Sequence, residues 1–149
     1  MKSSTARVAA FIAGVAVSGL LCTLGAQGTR SVWDGVYTEA QANRGAALFD
    51  KECAQCHGPA GEGGGMAPAL VGPTFSANYD GQTVGDLFDR NRTTMPVGKE
   101  GQLGGAQNAD ITAFMLQFNK FPPGLTELPS QSMLLRQIKY VAERPSGLQ

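Results

Sequence analysis

Two stretches of the chain carry a helical pattern of apolar positions, and a long glycine-rich segment lies between them. Thr38 to Glu52 is rich in alanine, with Leu48 and Phe49 as its large apolar residues. Thr38 suits an N-cap, and Glu39 puts negative charge in the first turn, where the helix dipole favours it. The second stretch, Ala106 to Asn119, places Ile111, Phe114, Met115 and Phe118 at i, i+3, i+4 and i+7, an apolar stripe. Pro122 and Pro123 end it. Gly104 and Gly105 precede it and predict a weak N-cap. Gly45 lies on the same face as Phe49, one turn earlier. Glycine inside a helix costs about 1 kcal/mol, so the position predicts close packing against a neighbour.

Gly58 to Gly105 reads differently. It holds 12 of the chain's 20 glycines, with Pro59, Pro68, Pro73 and Pro96. One short helix is predicted inside it, over Thr83 to Arg90, and the rest reads as loop. So long a loop is unusual in a compact domain. It makes sense if the loops wrap a large cofactor that supplies part of the core. The polar lead-in Thr29 to Tyr37 and the tail from Gly124 to Gln149 flank this body. Within the tail, Met133 to Val141 is expected to lie on the body as a short helix or strand.

The first residues read as an export signal. Lys2 and Arg7 precede an uncharged stretch from Val8 to Gln27, and small residues follow at Gly25, Ala26 and Gly28. The expected organisation is a signal peptide over residues 1–26, a lead-in over 27–38, a main domain over 39–121 and a tail over 122–149. Retention of the signal as an inner-membrane anchor is the alternative. Leu21 is bulky where lipid attachment at Cys22 wants a small residue.

Charge narrows the function. The chain has 12 Lys and Arg against 12 Asp and Glu. Such neutrality argues against the basic stripe that nucleic-acid binding needs. Export implies an oxidising compartment, so Cys53 and Cys56 need an explanation.

Cys53-Ala54-Gln55-Cys56-His57 is CxxCH, the spacing of covalent haem attachment. On one turn of helix both thiols point the same way, each towards one haem vinyl, and the adjacent His faces the iron. A CxxC redox pair would want a strand before it and a helix after it, the reverse of what stands here. Structural zinc needs four ligands, and these three residues are too few. Haem iron has a second axial position, and this chain's only His is taken. A thioether is the next common ligand, with Met66, Met95, Met115 and Met133 as candidates.

The pattern resembles the class I cytochrome c family. The match runs from about Glu39 to Phe121, through RGAALFDKECAQCHG, GEGGGMAPALVG, TVGDLF, TTMPVG and ADITAFML. The segments SVWDGVYTEAQA and NKFPPGLTELP resemble a bacterial subgroup that accompanies periplasmic quinoprotein dehydrogenases. The resemblance implies an all-α, small cytochrome c fold: three to five helices and Gly-rich loops around one covalent haem c. Cys53 and Cys56 would form the thioethers, His57 would be the proximal ligand and Met95 the distal one. The Pro68 carbonyl would accept the His57 ring N–H, and Leu70 would pack on the haem face. Gly45, Phe49 and Phe114 would form the crossing of the first and last helices. Tyr79, with Arg90 or Arg92, would contact the propionates. The function implied is single-electron transfer between periplasmic redox proteins, from a dehydrogenase to an oxidase or another cytochrome, and not catalysis. The competing reading is a haem peroxidase or ligand sensor with a labile distal bond.

Overall fold

The computed structural model describes residues 30–147 apart from Met66. The expected export segment, Cys22 within it and the candidate Met66 lie outside the described residues. Among the described residues no helix is long and apolar enough to cross a membrane.

The described chain is helical apart from two short strands. In order it runs β1 (Arg30–Ser31), α1 (Glu39–Glu52), α2 (Ala54–His57), α3 (Gly72–Tyr79), α4 (Val84–Thr94), α5 (Gly105–Phe118), α6 (Ser132–Leu135) and β2 (Ile138–Lys139). The small all-α architecture expected from the sequence is found, with six helices among the described residues in place of three to five, since α2 and α6 are single turns of four residues.

Local chemistry sets the helix starts. Thr38 Oγ1 accepts the Gln41 N–H at 3.1 Å, and α1 begins one residue later. Thr83 and Asp86 cap α4 reciprocally: each side chain accepts the other's backbone N–H, at 2.9 and 3.2 Å. That helix runs one turn beyond the predicted Arg90, to Thr94. Gly104 gives α5 no side-chain cap; instead Gln107 Oε1 accepts the Gly104 N–H at 3.0 Å.

α3 corrects the reading of this region as loop. Gly72 and Pro73 look like turn punctuation, but proline fits a first helical turn, where its missing N–H would have had no partner. Phe75 and Tyr79 follow one turn apart and pack together, ring centroids 5.0 Å apart.

α1 and α5 cross at Gly45. Phe49 packs on Phe114 there, with centroids 5.2 Å apart. The expected crossing is therefore present. α5 is also buried over more than its predicted stripe, since Asn108, Ala109, Thr112, Ala113 and Leu116 are inside as well.

The lead-in and tail are not peripheral. Val32, Val36 and Tyr37 are buried, as are Leu128, Leu135, Ile138 and Tyr140. β1 pairs with β2 in parallel, Arg30 opposite Ile138 and Ser31 opposite Lys139. Tyr140 N–H then donates to the Gln82 carbonyl at 3.0 Å, tying the tail to the loop before α4. The two ends of the chain thus close one side of the core, and the middle loops are left to build the site.

Candidate haem-binding site

α1 delivers the candidate attachment residues. Its last turn passes into α2 at Cys53, whose carbonyl accepts the N–H groups of Cys56 and His57 at 3.1 and 3.0 Å. This single turn sets Cys53, Cys56 and His57 along one cavity. Gly58 ends it at φ +80°, a conformation glycine adopts without strain.

The following loop folds back to grip the imidazole. Gly63 N–H donates to the His57 carbonyl at 2.7 Å, and Gly64 and Ala67 exchange backbone bonds at 3.0 and 2.9 Å. Pro68 is thereby placed with its carbonyl oxygen 2.8 Å from His57 Nδ1. A carbonyl can only accept, so Nδ1 carries a proton, which in the neutral imidazole leaves the lone pair on Nε2. Gly63 makes this approach feasible: a Cβ there would lie 2.6 Å from Ala69 N and 2.8 Å from the Pro68 carbonyl carbon.

The cavity measures about 790 Å³. Leu70, Phe75, Leu103 and Ile111 give it an apolar wall, and Met95 and Met115 both line it. Of the residues expected near propionates, Tyr79 and Arg90 line the cavity, whereas Arg92 does not and is exposed. A second cavity, of about 960 Å³, is bordered by Pro73, Ser76, Phe118 and Val141 and has no Cys, His or Met in its wall. The chemistry therefore belongs to the first.

Asn91 and Asn108 were not singled out in the sequence, yet both line the site. Asn91 lies one turn before Met95, and that spacing was the available signal. Asn108 is a polar residue inside an apolar helix. Its Nδ2 donates to the carbonyls of Leu103 and Gly104 at 2.9 and 3.1 Å, while its buried Oδ1 has no partner among the described residues.

The thiols are free. Burial pushes the Cys53 thiol up to about 11, with smaller contributions from the nearby Glu52 and Cys56. Disulfide oxidoreductases need the opposite, a thiol pKa brought down so that the thiolate attacks. Among the described residues, no group of three or more His, Cys, Asp and Glu is arranged to hold a bare metal ion. Two free thiols, an imidazole with its Nε2 lone pair free and a roomy apolar cavity fit a covalent haem.

A family model described as "Cytochrome C oxidase, cbb3-type, subunit III" matches residues 40–115. The chain belongs to this family. It is a class I c-type cytochrome, it carries haem c with its iron, and it transfers electrons. The cytochrome is also similar to a solved structure, the sulfane dehydrogenase SoxCD from Paracoccus pantotrophus. The two share 25% identity at a TM-score of 0.50, over 72% of this chain and 61% of that chain. The cytochrome thus spans about three-fifths of that chain's length. No curated protein sequence matches.

Proposed function

We propose that this cytochrome is a single-electron carrier whose iron is held by His57 Nε2 and Met95 Sδ. The observation that carries the reading is the joint placement of Cys53, Cys56, His57 and Met95 around one cavity, with His57 fixed through Nδ1 to the Pro68 carbonyl. That bond orients the ring and raises its basicity as a ligand. Haem c supplies a one-electron iron couple.

The protein's part is to set where that couple lies. A thioether ligand raises the potential, and the low-dielectric wall of Leu70, Phe75, Leu103 and Ile111 keeps water away. Tyr79 and Arg90 stand where propionates would find a hydroxyl and a cation. If His57 and Met95 both hold the iron, no open position would remain on it for substrate. Cys56 is exposed, so the edge it attaches is where a partner would approach. Such contact suits a small, transient interface. We assign the carrier to the periplasm, exported by residues 1–26, and place it after a dehydrogenase and before an oxidase or another cytochrome. The likeness to a dehydrogenase assembly supports the donor class.

The test is an absorption spectrum of the exported protein, oxidised and reduced, with carbon monoxide and cyanide added. A low-spin spectrum with a weak sulfur-to-iron band, unchanged by carbon monoxide, is expected. A high-spin spectrum that shifts with either ligand would replace the carrier by the peroxidase or sensor reading.

A further inference from the structure

Among the described residues, two methionines wall the cavity, and with His57 as the other ligand one iron would take only one of them. Met95 caps the C-terminal end of α4, and Met115 lies on α5. Asn91 is bonded to both. The Asn91 carbonyl accepts the Met95 N–H at 3.1 Å, which sets where Met95 leaves the helix. The Asn91 side-chain Nδ2 donates to Met115 Sδ at 3.2 Å. Met115 is 2% exposed, so that bond is largely sheltered from water.

We propose that Asn91 is a positioning residue that selects between the two thioethers; this rests on the methionine-ligated reading above. A thioether sulfur is a weak acceptor that donates to iron through the same lone pairs a hydrogen bond uses. The Asn91 N–H therefore lowers the donor strength of Met115 and holds its terminal torsions. Met95 Sδ has no such bond among the described residues and stays free to ligate. Methionine is unbranched and flexible, so without the restraint Met115 can re-aim its sulfur into the cavity.

The test uses the haem-loaded protein on a Met66→Leu background, and reads the sulfur-to-iron band and the spin state. That background itself, with Met95 present, first checks the methionine-ligated reading: no band there ends both that reading and this one. Met95→Ala is then expected to lose the band and become high-spin, because Asn91 withholds Met115. Adding Asn91→Leu is expected to bring the band back, and adding Met115→Leu to abolish it again. Asn91→Ala serves in place of Asn91→Leu should the larger side chain impair haem loading. Two results would overturn the selection: a double variant that stays high-spin, or a Met95→Ala variant that keeps a band removed by Met115→Leu.

Discussion

Gly45 on α1 lies directly against the Asp110 backbone on α5. A Cβ on Gly45 would lie 1.9 Å from the Asp110 carbonyl oxygen and 2.9 Å from Phe114 Cβ. The glycine costs helix propensity, and in exchange α1 and α5 approach closely enough for Phe49 to meet Phe114 and Phe118. Gly45→Ala must push the two longest helices apart. Overpacking of this kind costs about 1–3 kcal/mol, and a backbone obstacle puts it at the upper end. Chemical unfolding should show a lower midpoint for Gly45→Ala than for the parent chain.

Gly63→Ala acts from a distance on His57, the proposed iron ligand. The added Cβ, at φ +78°, collides with the Pro68–Ala69 backbone and displaces the carbonyl that accepts from His57 Nδ1. The imidazole then loses its orienting partner and some basicity. A weaker donor stabilises oxidised iron less. Redox titration should find a higher midpoint potential in Gly63→Ala than in the parent. An unchanged potential with haem retained would show that the Pro68 carbonyl does not tune the ligand.

What the sequence made legible was local. Thr38 and Thr83 announce their helices because a cap needs only three or four residues of spacing, and CxxCH is a single turn. Gly45 could be matched to a close approach because glycine in a helix needs a reason. The rest depends on partners far apart in the chain. Trp33 Nε1 donates to the Val141 carbonyl at 2.9 Å across 108 residues, and no periodicity in either segment signals it. Val32 and Val36 sit in a stretch that looks polar, yet both are buried in the core, and the Val32 N–H donates to the Lys139 carbonyl at 2.9 Å. Asn91 is an unremarkable helix residue until α5 brings Met115 to its amide.

Tyr37 makes the fold sensitive to alkali. Its hydroxyl donates to the Phe121 carbonyl at 2.6 Å, and the side chain is buried. Burial, with a smaller push from the charge of Glu39, raises its pKa from 10.0 to about 12. The raised value means the folded state prefers the neutral phenol. Its stabilisation is therefore complete below pH 10 and is lost as pH rises from 10 towards 12. Two pKa units correspond to about 2–3 kcal/mol. Thermal unfolding followed across that window should show a steeper loss of stability in the parent than in Tyr37→Phe. The phenylalanine variant loses the bond to Phe121 and should start lower at neutral pH.

Leu135 decides whether the tail is an ornament or part of the core. It sits on α6 with no exposed surface, and α6 packs on α4. Gly85 permits that contact, since a Cβ there would lie 2.8 Å from Arg136 N. Arg136 and Ser132 then both bond Asp89 on α4, at 2.7 and 2.6 Å. Those polar bonds are half in water and hold the register more than they add stability. The apolar contact is the larger contribution. Leu135→Ala removes buried methyl groups and leaves a void in a wall that α4 also builds, at about 2–5 kcal/mol. Met133 is 76% exposed on the same short helix, so Met133→Ala should change stability little. Unfolding of the haem-loaded variants by denaturant separates the two cases. A loss confined to Leu135→Ala would show that the segment after Phe121 is part of the folding unit that carries the haem cavity. Equal and small effects would return it to the status of a tail.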